Sequence, residues 1–426
     1  MKNTRFRWWV APVLAAALAL TSCSADSTDE RPASVGPAKV SDGGLPGDPI
    51  LIGSICSCTG PAAGSVGRAT DVLQAWASWV NDRGGINGHP VKVVAYDDQQ
   101  NPTTALAVAK KLVEQDKVVA IVGQTSLVSS SWQNYVDSKG IPVIGGQPVD
   151  APFMTDPNFF ASGTTLAVLM LGEVAQAKQA GAKTLGVYYC AEIPVCEQLP
   201  QMLEPMATQA GLGFAAEKVA IAAPNYIAPC LAFKTEGVDA VFPAVSVEAI
   251  SRIANSCAQQ GYTPTQAPTG VSLQKAWATD PNFEGSIFAG SNALYTDDSN
   301  PAIKDFGQAL DTYVPGMRDS ADFSSPLLWP WAGGRLFQAA AEAVGLSPSS
   351  TSADVVKGLR ALRDETLGGL APPLTFPEGQ PSFPLCYFTG HTSGGAFHSD
   401  NGGKPTCLDE ATAAALKKSL APSAPS

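Results

Sequence analysis

From Ile50 onward the chain alternates short apolar runs of strand length with longer stretches of 3.6-residue periodicity. That alternation constrains the fold more than any other feature of the sequence. Residues 50–55, 91–96, 118–122 and 141–144 read as strands, with helices over 66–82, 103–115 and 127–138 between them. The helix at 103 is capped from Asn101-Pro102. The pattern restarts after Ser162-Gly163, with helices over 166–180, 197–210, 226–235 and 247–260 and strands over 184–189, 213–220 and 238–242. Strict βα order implies parallel strands covered by helices on both faces. About eight such units exceed one comfortable sheet, so the expected fold is α/β with two doubly wound parallel-sheet lobes. No short-period repeat is present, which excludes a solenoid.

The N-terminus sets the compartment. Lys2, Arg5 and Arg7 precede an apolar run from Trp8 to Leu20, too short for a spanning helix and typical of a signal peptide. The run ends in Leu20-Thr21-Ser22-Cys23, which resembles a bacterial lipobox and implies cleavage before Cys23 and lipid on its thiol. Residues 1–22 are then a lipoprotein leader. Residues 23–47, rich in Ser, Asp, Gly and Pro, read as a flexible tether. Export to the extracytoplasmic face of the membrane agrees with nine Cys, many for a reduced cytosol. A formal charge of −11 argues against a nucleic-acid partner, because net negative charge would have to meet phosphate.

A resemblance is carried by particular residues. Ile52-Gly53, Thr59-Gly60-Pro61 and the string GGINGHPVKVVAYDDQQNP from Gly84 to Pro102 are followed by V-A-I-V-G ending at Gly123 and G-L-A-P-P-L-T-F over 369–376. The body resembles the leucine/isoleucine/valine-binding family of ABC-importer solute-binding lipoproteins, which have the type I periplasmic-binding-protein fold. The resemblance implies two lobes joined by a three-segment hinge, crossed near 162–164, 286–291 and 375–384. Lobe one would comprise 48–163 and 290–380, and lobe two 164–289 and 381–420. The glycines have their own explanation. Gly84-Gly85 ends a helix where a left-handed residue is needed, and Asn87-Gly88 is a turn dipeptide. They identify the fold and say nothing of the ligand.

In open α/β sheets ligands sit beyond the carboxyl ends of the strands. Here those loops are 56–63, 123–129 and 145–151 in one lobe and 190–196, 244–248 and 268–273 in the other. Thr59, Ser126 and Gln147 on one side and Ser246 and Thr269 on the other are the expected ligand contacts. Each hydroxyl serves equally well as a helix cap. Trp329 and Trp331 are expected at the rim or in the core. The resemblance also places the family's ligand anchors. The acid that holds the ammonium falls on Thr269, the Ser that holds the carboxylate falls on Leu127, and a second-lobe aromatic falls near Pro194. These departures argue against a standard branched-chain amino acid, since an unpaired ammonium in a closed cleft is costly. Glu192 or Glu248 could substitute from neighbouring positions.

With Cys23 lipidated, eight Cys remain, an even number for an oxidising compartment. Cys190 and Cys196 bracket a loop, Cys230 and Cys257 lie in neighbouring helices, and Cys386 and Cys407 bracket a Gly-rich hairpin. Cys56 and Cys58 are left as a small ring that closes only if the chain bends at Ser57. Cys-x-Cys without His lacks the four ligands zinc wants, so no metal site is expected. No Gly-x-Ser-x-Gly, His-Glu-x-x-His or Walker loop occurs, and His89, His391 and His398 read as solvated. The expected protein is therefore not an enzyme and has no cofactor. It captures a small molecule between two lobes for an ABC permease and ATPase complex. The alternative is a ligand-sensing receptor of the same fold that reports to a signalling partner.

Overall fold

The structure is a computed structural model that describes residues 35–60, 63–192, 194–382 and 384–420. The expected leader and the lipidation site Cys23 lie outside the described residues. The chain runs β1 (Ile50–Cys56), α1 (Ala63–Val66), α2 (Ala69–Asn81), β2 (Val91–Asp97), α3 (Pro102–Glu114), β3 (Ile121–Gln124), α4 (Gln133–Ser138), β4 (Val143–Gly146), α5 (Pro152–Thr155) and β5 (Phe159–Phe160). These strands pair in parallel in the order β2-β1-β3-β4-β5. A second run follows: α6 (Leu166–Gln179), β6 (Thr184–Cys190), α7 (Leu199–Gln209), β7 (Gly213–Val219), α8 (Ile227–Glu236), β8 (Ala240–Ala244), α9 (Val247–Gln259) and β9 (Thr265–Gln266). Its strands form a parallel sheet in the order β7-β6-β8-β9.

The last third is β10 (Ile287–Gly290), α10 (Pro301–Tyr313), α11 (Leu328–Ala343), α12 (Ser352–Ala361), β11 (Cys386–Ser393), β12 (Ala396–Ser399), β13 (Thr406–Cys407) and α13 (Glu410–Leu420). Helices α10 and α11 return to pack on α2, and α11 also lies on β3 and β4. β10, β11 and β12 form an antiparallel sheet with β13 on β11, an element that βα alternation does not announce. Where the two halves of the chain meet, Thr164 N–H donates to Ser291 O (3.0 Å) and Asn292 Nδ2 donates to Ser162 O (2.8 Å).

Three local outcomes differ from the periodicity. The helix expected over 66–82 is split at Gly67, whose N–H closes α1 by donating to Ala63 O (2.7 Å). The helix expected over 127–138 yields only a short 3₁₀ turn and α4, because Leu127 N–H is drawn away to Ser57 Oγ (2.9 Å). Residues 35–47, read as part of a flexible tether, are instead held against the body. Ala38 N–H donates to Asp71 Oδ1 (2.9 Å), Ser41 N–H to Ser78 Oγ (3.0 Å) and Lys39 N–H to Tyr313 O (2.7 Å). Asn81 Nδ2 donates to Ser41 O (2.8 Å). Asp71, Ser78 and Asn81 share one face of α2, so a polar stripe there supplies the partners that an apolar-poor arm needs.

Glycine permits the close seating of α11. A Cβ on Gly145 would lie 2.4 Å from Gly333 Cα, and one on Gly334 would lie 2.3 Å from Trp76 Cδ2. α11 therefore rests directly on β4, with Trp76 of α2 against its other side.

Candidate functional site: the cleft between the lobes

The parallel register places the ends of β1, β2 and β3 side by side, with Cys56 opposite Asp97 and bridged to Thr125. A buried polar network then ties their loops together. Asp98, fully buried, accepts from Ser57 Oγ (2.7 Å), Gln100 N–H (2.8 Å) and Ser126 Oγ. Ser126 Oγ also accepts from Trp132 Nε1 (3.2 Å), and Ser126 N–H donates to Gln124 Oε1 (2.8 Å). Gln124 Nε2 donates to Asp150 Oδ2 (3.0 Å), which brings in the loop after β4. Burial pushes the half-buried Asp150 carboxyl up to about 7, against the lowering effect of hydrogen bonds from Gln124 and Ser129.

Ser126 Oγ is fully buried and shared between Asp98 and Trp132, so it ties the loops together. Ser246 caps α9, accepting from Ala249 N–H (3.4 Å). Thr59 is exposed and donates to Asp97 Oδ2 (2.5 Å). Thr269 is half-buried, its hydroxyl 3.2 Å from Ser272 Oγ. Gln147 keeps a free polar atom: its Oε1 is buried without a hydrogen-bond partner. Trp331 belongs to the core, fully buried and edge-on to Trp79 at 5.4 Å. Glu192 accepts from Ile221 N–H (2.7 Å) and so caps a strand end. Glu248 reaches across to lobe one, its Oε1 3.0 Å from where a Cβ on Gly64 would stand.

Where the lobes meet, an apolar cluster is buried. Val66, Val149 and Trp329 from the first lobe pack against Leu169 of α6 and Val271 beyond β9. Trp329 is brought there by the first turn of α11, the helix seated on Gly145. Besides Trp329, sequence reasoning missed these residues, because a lone Val or Leu in a loop is indistinguishable from core until the lobes are opposed. The segment after β9 also ties the lobes, with Ser325 N–H donating to Leu273 O (3.0 Å) and Lys275 Nζ to Arg318 O (2.7 Å). All four expected disulfides are present: Cys56–Cys58, Cys190–Cys196, Cys230–Cys257 and Cys386–Cys407. The first stands at the cleft end of β1, and the second closes the loop after β6.

Two parallel sheets with helices on their faces place the ligand-binding crevice of open α/β folds at their strand ends, the architecture of two-lobed solute-binding proteins. The chain belongs to the periplasmic binding protein family, whose profile matches residues 49–389. An amino acid binding protein from Pseudomonas aeruginosa is 52% identical over 94 residues, 22% of this chain and 24% of that protein. A leucine-, isoleucine-, valine-, threonine-, and alanine-binding protein from the same organism is 32% identical over 158 residues, 35% of this chain and 40% of that protein. The matched regions thus span less than half the length of either relative. Among solved structures, a fatty acid ABC transporter substrate-binding protein from Thermomonospora curvata superposes with a TM-score of 0.70 at 18% identity, covering 88% of this chain and 96% of the other. A solute binding protein of an ABC transporter from R. palustris in complex with benzoate gives 0.67 at 16% identity, covering 85% and 99%. These likenesses establish the type I periplasmic-binding-protein fold. The family is extracytoplasmic, and no helix among the described residues is long and apolar enough to cross a membrane.

Proposed function

We propose that this protein is the lipid-anchored receptor of an ABC importer and that it takes an apolar small molecule other than a branched-chain amino acid. The observation that carries the reading is the buried apolar cluster of Val66, Val149, Trp329, Leu169 and Val271 where the lobes meet, which would line the cleft once the lobes part. Thr269 and Leu127 stand where the resemblance places the amino-acid anchors, and neither can ionise. Gln147, Thr59 and Thr269 remain the polar contacts of the site, with Ser126 and Ser246 supporting them. The solved likenesses include one protein named for fatty acid transport and one bound to benzoate, in keeping with an apolar ligand in this fold. Lobe one (48–163 and 290–380) and lobe two (164–289 and 381–420) close on the ligand as rigid bodies, and the closed form meets the permease.

A thermal-shift series tests the ligand class. Small molecules with a medium-chain or aromatic apolar body should raise the midpoint, a ligand at a hundred times its Kd adding about 2.7 kcal/mol. Larger stabilisation by leucine or valine would overturn it. The anchor is tested separately in the host: Cys23→Ser should move the protein from the membrane fraction to the medium or periplasm.

A further inference from the structure

Beside Trp329 the protein encloses a small space. It is lined by Val271 from the segment after β9, by Ser291 and Tyr295 following β10, and by Ser325, Leu328 and Trp329 at the start of α11. Val271 and Trp329 also belong to the apolar cluster where the lobes meet. Three residues of this lining carry orphan hydroxyls: Ser291 Oγ, Ser325 Oγ and Tyr295 OH are buried and have no hydrogen-bond partner in the protein. Their residues are 2%, 7% and 2% exposed. Buried polar groups are nearly always paired, so three orphans around one cavity mark a place where something else supplies the partners. No Asp, Glu, Lys, Arg or His lines the chamber. Burial pushes the Tyr295 phenol further up, so it stays neutral and can donate or accept.

We infer that this chamber is the deep end of the ligand site and that it receives a small, uncharged hydrogen-bonding head, a hydroxyl or carboxamide, of a ligand whose apolar body lies against Trp329. The inference rests on the reading of the protein as a solute-binding receptor and narrows its ligand. The free volume of about 20 Å³ suits one such group, since a single water needs roughly 10–15 Å³. Hydroxyls can answer either a donor or an acceptor, which suits an alcohol or an amide equally. A carboxylate or ammonium would enter a dry space with no opposite charge and pay the full cost of lost hydration.

Isothermal titration with two shape-matched sets tests this: benzamide, benzoate and benzylamine, and hexanamide, hexanoate and hexylamine. In at least one set the amide should bind ten times tighter than its charged partners. Tyr295→Phe and Ser325→Ala should each weaken that amide about tenfold, the equivalent of one net hydrogen bond. The same variants should leave the ligand-free melting temperature unchanged or raised, because each removes an orphan. A hydroxyl that serves only a fixed structural water behaves oppositely, losing ligand-free stability while amide affinity holds, and that result overturns the inference. Tighter binding of the acids or amines overturns it as well. If no member binds but a host metabolite extract gives a one-to-one complex by native mass spectrometry, the chamber inference fails and the receptor reading stands. If the extract also gives none, both fall.

Discussion

Glu173 on α6 is fully buried, and only one of its carboxylate oxygens has a partner, Ala289 N–H at 2.7 Å. Burial pushes its carboxyl well above the usual Glu range, and it pushes Asp150 up to about 7. In both cases the folded state holds its proton more tightly than the unfolded chain. Their contribution to stability is therefore complete below the ordinary carboxylate range and is lost as pH rises through the folded values. Urea unfolding should show a protein more stable at pH 5 than at pH 8, and Glu173→Gln should flatten that slope and add on the order of 1 kcal/mol at pH 8. A variant less stable than the parent at pH 8 would refute the account. Ser126 gives the opposite test. Because its hydroxyl serves buried Asp98, Ser126→Ala should cost about 1–3 kcal/mol in the ligand-free protein, read as a lower melting temperature. A direct ligand contact would instead spare ligand-free stability.

At the scale of elements, α11 sets the cleft, because its first turn carries Trp329 and its glycines seat it on the first sheet. Gly145 has φ +60°, and an added Cβ would strike Gly333 at 2.4 Å, so both backbone strain and overlap oppose any side chain there. Gly145→Ala should cost about 2–3 kcal/mol and weaken ligand binding together, by differential scanning calorimetry and titration. The Cys56–Cys58 ring fixes the neighbouring loop, with Thr70 Oγ1 3.3 Å from Cys56 Sγ. Non-reducing peptide mapping should find that peptide two hydrogens lighter than its dithiol form, whereas two alkylated thiols would contradict it. Strands β1, β2 and β6 and helices α3 and α9 were legible because their apolar periodicity and caps act locally. What the sequence did not reveal has physical causes that are long-range. Residues 35–47 are ordered by a polar face on α2, and the helix expected over 127–138 gives way to a hydroxyl on a loop 70 residues earlier. The antiparallel sheet depends on β10 meeting β11 across nearly a hundred intervening residues, which no window of sequence reveals.

At the scale of the whole molecule the family and the lobed α/β fold followed from the sequence, whereas the site depends on contacts between distant segments. The expected loops lie where strands end, but which of their hydroxyls face a ligand depends on what each finds behind it. Ser126 and Ser246 found partners within the protein, and Gln147 did not. The apolar cluster between the lobes forms only when Val66, Val149 and Trp329 are brought against Leu169 and Val271. Ligand closure of such a cleft should shrink the molecule in solution, visible as a smaller radius of gyration by small-angle X-ray scattering. The most direct test of the central claim is native mass spectrometry of the protein purified gently from its own host, beside a Trp329→Ala variant shown to be folded by circular dichroism. The account predicts one small, apolar, non-covalent adduct per chain that the variant loses, and an adduct retained by the variant at full occupancy would contradict it.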